Sequence, residues 1–199
     1  WVMWRTISLS LFSILVFCIS PVLASWNIET IDYGGGYCSL DIIKGQPAIS
    51  YQGTSSELKY ARYNGGSWDI NTVDIGGILA ITTSLEPLAD GNAAIAYWER
   101  NNDDLKYAWY DGSAWQKTNL ESTGATGKYT SMTTIGGRPA ISFYNSTTKE
   151  LKYARFDGSA WLTSTVATNV SIYNMNTSII ALADGNPAIA TSTNKYAIK

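Results

Sequence analysis

Apolar and polar positions alternate along most of this chain with a period of two, and outside the first two dozen residues no stretch carries the 3.6-residue spacing of a helix. Thr130 to Ile135 reads TSMTTI, a Gly-Gly-Arg turn follows, and Pro139 to Tyr144 reads PAISFY. After a polar loop, Glu150 to Phe156 reads ELKYARF, Asp157-Gly158 marks a hairpin, and Trp161 to Val166 reads WLTSTV. The pattern predicts four short antiparallel strands, here A to D. Strand B sets small side chains against large ones: Ala48 and Ser50 against Ile49 and Tyr51, Ala94 and Ala96 against Ile95 and Tyr97, Ala140 and Ser142 against Ile141 and Phe143. It carries no charge, so both of its faces are expected to be buried, the large side chains of one sheet filling the small-residue face of the next.

The unit repeats. LKYARYNGGSW at Leu58 to Trp68 returns as LKYAWYDGSAW at Leu105 to Trp115 and LKYARFDGSAW at Leu151 to Trp161, 47 and 46 residues apart, with a shorter echo, KYAIK, at Lys195 to Lys199. A fixed period of this length means a stacked architecture in which each copy buries its faces against its neighbours. Four-stranded sheets arranged radially make an all-β propeller with blades of about 46 residues; a flat solenoid is the alternative. The blades fall at 36–76, 80–121, 129–168 and 176–199. Ser25 to Asp32, SWNIETID, matches strand D, with Trp26 in the place of Trp68, so 25–33 is expected to complete a blade shared with strands A to C of 176–199. Four blades are present, and we read them as part of a larger ring of about five to eight. Trp26, Trp68, Trp115 and Trp161, with Tyr60, Tyr107 and Tyr153, are the structural residues of the repeat.

Before the repeats, Met3, Arg5 and the apolar run Ile7 to Ser20 read as a signal peptide over 1–24, with Val22 and Ala24 as the small residues ahead of cleavage between Ala24 and Ser25; a single membrane anchor is the alternative. The reading predicts a secreted or envelope protein without a membrane span in its mature part. Of 14 basic residues, 13 remain once Arg5 is removed, against 16 acidic ones, with no block of like charge and no footprint for nucleic acid. Cys38 is the one cysteine after the leader, in the position held elsewhere by Thr83, Thr130 and Thr177, and is expected to fill a strand rather than to react.

YNGGSW at Tyr63 to Trp68, YDGSAW at Tyr110 to Trp115 and FDGSAW at Phe156 to Trp161 resemble the Asp-box turns of sialidase-type propellers, S-x-D-x-G-x-T-W, with an aromatic in place of the leading serine and a shorter spacing. The same turns are similar to those of fucose-binding lectin propellers. Both resemblances span the mature chain as architecture; they imply a sialidase-like or lectin-like propeller and no particular activity.

The chain has no histidine, which removes the commonest general base and metal ligand. Arg62, Arg155, Arg138 and Arg100 are too scattered along the repeat to supply a sialidase triad. Glu99, Asp103 and Asp104 share one loop but lack the spacing of a calcium loop. No catalytic residue, metal or cofactor is therefore assigned. The B to C and D to A connections vary between copies, so recognition is expected on their face, through Tyr37, Trp98, Glu99, Arg100, Asp103 and Tyr129 as exposed aromatic and polar groups around a sugar. The function expected is non-catalytic binding of a glycan or a surface partner. A glycoside hydrolase with its catalytic residues elsewhere, and a structural or adhesion scaffold, are the alternatives.

Overall fold

The computed structural model describes residues 26–75, 79–170, 176–192 and 196–199, with side chains of 35 and 79–81 left aside. The leader predicted over 1–24 and its cleavage point, Ala24 and Ser25, lie outside the described residues. Fifteen strands and no helix are found among the described residues. Blade I holds β1 (Gly34–Ile43), β2 (Gln46–Gly53), β3 (Leu58–Tyr63) and β4 (Trp68–Asp74). Blade II holds β5 (Leu79–Pro87), β6 (Ala93–Glu99), β7 (Asp104–Tyr110) and β8 (Trp115–Glu121). Blade III holds β9 (Lys128–Ile135), β10 (Arg138–Asn145), β11 (Glu150–Phe156) and β12 (Trp161–Ala167), and blade IV holds β13 (Thr177–Ala181), β14 (Pro187–Thr191) and β15 (Tyr196–Ile198). Each sheet is an antiparallel meander in chain order.

The hairpin between strands C and D shows why its sequence recurs. Asp111 Oδ1 accepts from the backbone N–H of Ser113 and of Ala114, each at 2.8 Å, and Asp157 repeats this with Ser159 and Ala160 at 2.7 and 2.9 Å. Asn64 does the same for Gly66 and Ser67. The next residue, Gly65, Gly112 or Gly158, has φ of 99°, 101° or 109°, a region closed to other residues.

Blades meet A strand to A strand, β1 to β5, β5 to β9 and β9 to β13. One serine marks every junction: Ser39 Oγ accepts from Leu85 N–H at 3.0 Å, Ser84 from Met132 at 2.9 Å and Ser131 from Ile179 at 3.3 Å. Strand B behaves as its small and large alternation predicts, every residue of β6 being buried. Ala94, Ala96, Leu105 and Tyr107 form one core cluster with Met132, Ile141 and Phe143 of the next blade. This is a β-propeller arc. Among the described residues the outer flank of blade I has no neighbouring sheet: Leu40 is 68% exposed, whereas its equivalents Leu85, Met132 and Ile179 are buried.

One expectation is corrected. The leading D strand does not form in the described residues 26–33, β15 pairs with β14 alone, and Trp26 is 96% exposed instead of wedging a core. A strand needs an edge to satisfy its amides, and the edge meant for this one is not beside it. The end of the segment nevertheless reaches blade I as a D strand would. Asp32 accepts from Tyr51 Oη and Lys59 Nζ, both at 2.8 Å, while its equivalent Asp74, at the end of β4, takes Tyr97 Oη at 2.7 Å and Lys106 Nζ at 3.4 Å from blade II.

Candidate functional site

The residues expected to form the site separate into two groups. Tyr37 and Tyr129 stand at the entry of β1 and β9, with φ of 52° and 56°, and share the wall of a small axial cavity of about 170 Å³ with Cys38, Thr83, Thr130 and Thr177. Cys38 is exposed instead of packing as a buried strand residue. The second group is the turn between β6 and β7. There Trp98 is 8% exposed and Glu99 1%, so neither is the exposed group that the sequence suggested. Glu99 accepts from the backbone of Asn101 at 2.7 Å and Asn102 at 3.2 Å and so holds the turn; Lys128 Nζ sits 4.8 Å from the centre of the Trp98 ring. Arg100 is exposed and Asp103, at φ 57°, occupies the left-handed position that shapes the turn.

The larger concavities lie at the opposite end of the blades, in the clefts between neighbours where the A to B and C to D hairpins come together. Cleft I, between blades I and II, has about 190 Å³ and is walled by Tyr60, Arg62 and Asp69 on one side and by Asn92, Tyr110 and Trp115 on the other. Cleft II, between blades II and III, has about 440 Å³ and is walled by Asp90, Tyr107 and Trp109, with Arg138, Phe156 and Trp161 opposite. Their frames superpose by repeat. The tryptophan that opens strand D packs edge-on against the strand C tyrosine of the preceding blade, Trp115 on Tyr60 at 5.1 Å and Trp161 on Tyr107 at 4.9 Å. These tryptophans therefore wedge the junction and wall the cleft at once. A third junction presents Tyr153 and Arg155 beside Pro187 and Ile189 of blade IV.

Position and charge are set from below. Arg62 Nε donates to the carbonyl of Ile43 at 3.0 Å, which fixes its stem and leaves its terminal nitrogens toward the cleft. Asn92, buried, donates to Asp90 at 2.8 Å. Tyr60 and Tyr107 line the clefts with phenols raised by burial, Tyr60 to about 12, so both remain neutral donors. Each cleft thus combines a cation, neutral donors and acceptors, and ring faces, which can together hydrogen-bond and stack on a ligand. Among the described residues no group of three or more acidic or cysteine side chains is arranged to hold a metal ion.

The loops that vary lie on the other face, whereas the hairpins that border these clefts are near-copies of one another. Repetition was itself the signal. A cleft made by a junction recurs wherever the junction does, and Tyr60, Tyr107 and Tyr153 stand 47 and 46 residues apart, with Arg62 and Arg155 two places after the first and the last of them.

No protein-family model matches the chain, and no curated protein matches it in sequence. Solved structures do match in fold. The SapL1 lectin in complex with alpha methyl fucoside superposes with a TM-score of 0.60 at 11% identity, over 85% of this chain and 63% of that one. The six-bladed fungal lectin of Aleuria aurantia, described with a novel fucose recognition mode, gives 0.56 at 16% identity over 76% and 55%. The intramolecular trans-sialidase of Ruminococcus gnavus gives 0.52 at 15% over 79% and 40%. The chain thus spans less than two thirds of the length of these proteins, and the similarity is one of fold: a β-propeller.

Proposed function

We propose that this propeller arc is a carbohydrate-binding module whose ligands sit in the clefts between blades, with a fucose-type terminal sugar as the ligand class to test first. One observation carries the reading: the same aromatic frame recurs at successive junctions, Trp115 on Tyr60 and Trp161 on Tyr107, each with a cation in the wall, Arg62 or Arg138. A sugar presents an apolar C–H face and a polar edge together, which is what ring faces beside a guanidinium accommodate. The lectin folds that superpose on the chain, two of them described with fucose or a fucoside, support the choice of sugar. Repeated sites favour ligands displayed in several copies, such as the glycans of a cell surface, because a second attachment follows at high effective concentration. The leader-like segment supports placing the protein outside the cell.

Calorimetry with methyl fucoside, run beside chromatography that detects released sugar, tests the proposal. Saturable binding without release is the expected result. It should be lost on Trp115→Ala combined with Trp161→Ala and kept on Arg100→Ala. Release of sugar would replace the binding reading with a hydrolytic one, and absence of binding by any glycan of a broad panel would remove both.

A further inference from the structure

The two complete clefts share a frame and differ at one strand C position. Where cleft I has Arg62, cleft II has Trp109; the third copy returns to Arg155. This exchange of a guanidinium for an indole changes what the wall offers. In cleft I, Arg62 lies with Asp69, Asn71 and Asn92, and the cavity is about 190 Å³. In cleft II the Trp109 ring lies nearly parallel to Tyr107, at 5.5 Å between centres and 21° between planes, and Tyr107 in turn meets Trp161 edge-on. With Phe156, Leu88 and Pro139 this makes an aromatic box of about 440 Å³. Its cation has moved to the other wall: Arg138 reaches from the start of β10 over its own blade's C to D turn, where a Cβ on Gly158 would stand 2.9 Å from the guanidinium. The space in cleft I that a guanidinium occupies is, in cleft II, a broad ring face with room before it.

Resting on the carbohydrate reading, we infer that the two clefts form a mixed pair, cleft I holding a bare terminal sugar by polar contacts and cleft II holding a sugar that carries an apolar group, with residue 109 setting the difference. Ring faces at cleft II gain from an aryl or similarly apolar substituent, which stacks on Trp109 while the sugar edge meets Arg138 or Asp90. Cleft I gains nothing comparable, because the substituent would lie against Arg62, Asp69 and Asn71 and strip water from charged groups without replacing it. The arc is then selective for surfaces that display both kinds of terminus, not merely many copies of one.

The test follows the indole N–H signals of Trp109, Trp115 and Trp161 by NMR while methyl fucoside, phenyl fucoside and phenol are titrated separately. Phenyl fucoside should bind at Trp109 and Trp161 roughly tenfold more tightly than methyl fucoside, while Trp115 responds to both alike. Exchanging the residues by Trp109→Arg should abolish that preference and leave methyl fucoside binding at Trp115 unchanged; Trp109→Phe, which keeps a ring, should retain most of it and controls for misfolding. Equal preference at Trp115 and Trp161, or a preference that survives Trp109→Arg in a folded variant, would overturn the inference. Should neither fucoside move any indole, the carbohydrate reading fails, and phenol decides the aromatic box separately: selective shifts at Trp109 and Trp161 support it, and none overturns it.

Discussion

The junction between blades I and II and the junction between blades II and III are the same interface executed in two chemistries. At the first, Asp74 is buried and takes Tyr97 Oη, Lys117 Nζ at 2.6 Å and Lys106 Nζ, and Ser50 Oγ pairs with Thr83 Oγ1 at 2.8 Å. At the second, Glu121 stands for Asp74 and among the described residues meets Lys152 alone, at 2.7 Å, because Phe143 has replaced the tyrosine. Ala96 has replaced the serine, and Thr130 Oγ1 is buried with no partner among the described residues. The third junction restores the pair, Ser142 Oγ to Thr177 Oγ1 at 2.8 Å. The polar junction has the polar cleft, with Arg62, and the apolar junction has the aromatic one, with Trp109. Repetition holds the backbone in place, and each side chain is then free to change the chemistry of one junction without disturbing the rest.

The strongest way to break the comparison is to remove the two carboxylates in turn. Burial pushes the Asp74 carboxyl up, but the bonds from Lys117 and Tyr97 and the nearby Lys106 outweigh it and hold the group below the ordinary range. Asp74→Ala would leave two lysines facing a buried tyrosine and should cost about 3 kcal/mol in urea unfolding, the scale for breaking a buried ion pair. Glu121→Ala removes a single charged hydrogen bond, to Lys152, and should cost about 2 kcal/mol. Equal losses would mean that the junctions are not chemically distinct.

A second effect concerns pH. Glu86 of β5 accepts from Thr134 N–H at 3.0 Å across the second junction, and burial, aided by Asp41, raises its carboxyl from 4.5 to about 7. A carboxyl raised in the folded state stabilises below its unfolded value, and that contribution is lost as pH climbs from 4.5 to about 7 while the unfolded chain ionises first. Asp74, held low, works in the opposite sense: its contribution is present above 3.8 and is lost only in stronger acid. Resistance to thermal unfolding should therefore weaken between pH 5 and about pH 7. Glu86→Gln should remove most of that slope, and an unchanged slope would dissociate Glu86 from it.

The smallest expected effect sharpens the comparison most. Ala96→Ser supplies Thr130 with the partner that Thr83 and Thr177 already have and should gain about 0.5–1 kcal/mol; Ser50→Ala should lose about as much. A neutral Ala96→Ser would mean that Thr130 is satisfied in another way.

Much of the fold was legible because it depends on local rules applied several times. The Asp-Gly and Asn-Gly turns, the small and large alternation of strand B and the fixed period all act over a few residues, and each was read more than once. The leading segment marks the limit of such rules: SWNIETID has the pattern of strand D, but a strand forms only where a partner edge is present, and pattern does not report that. Asp32 shows how near the reading came, since it occupies the clamp that Asp74 occupies in the next blade. The candidate site is less legible. Trp98 and Glu99 have the composition of a binding loop, yet Glu99 is used up in holding its own turn, and no property of the sequence distinguishes an aromatic turned outward from one turned in.

A crystal of the protein soaked with methyl fucoside tests the central claim most directly. Sugar density between the blades, against Trp115 beside Arg62 or against Trp161 beside Arg138, is the result predicted here. Density confined to the axial mouth at Tyr37 and Tyr129, or to the turn at Arg100, would contradict it and return recognition to the loop face.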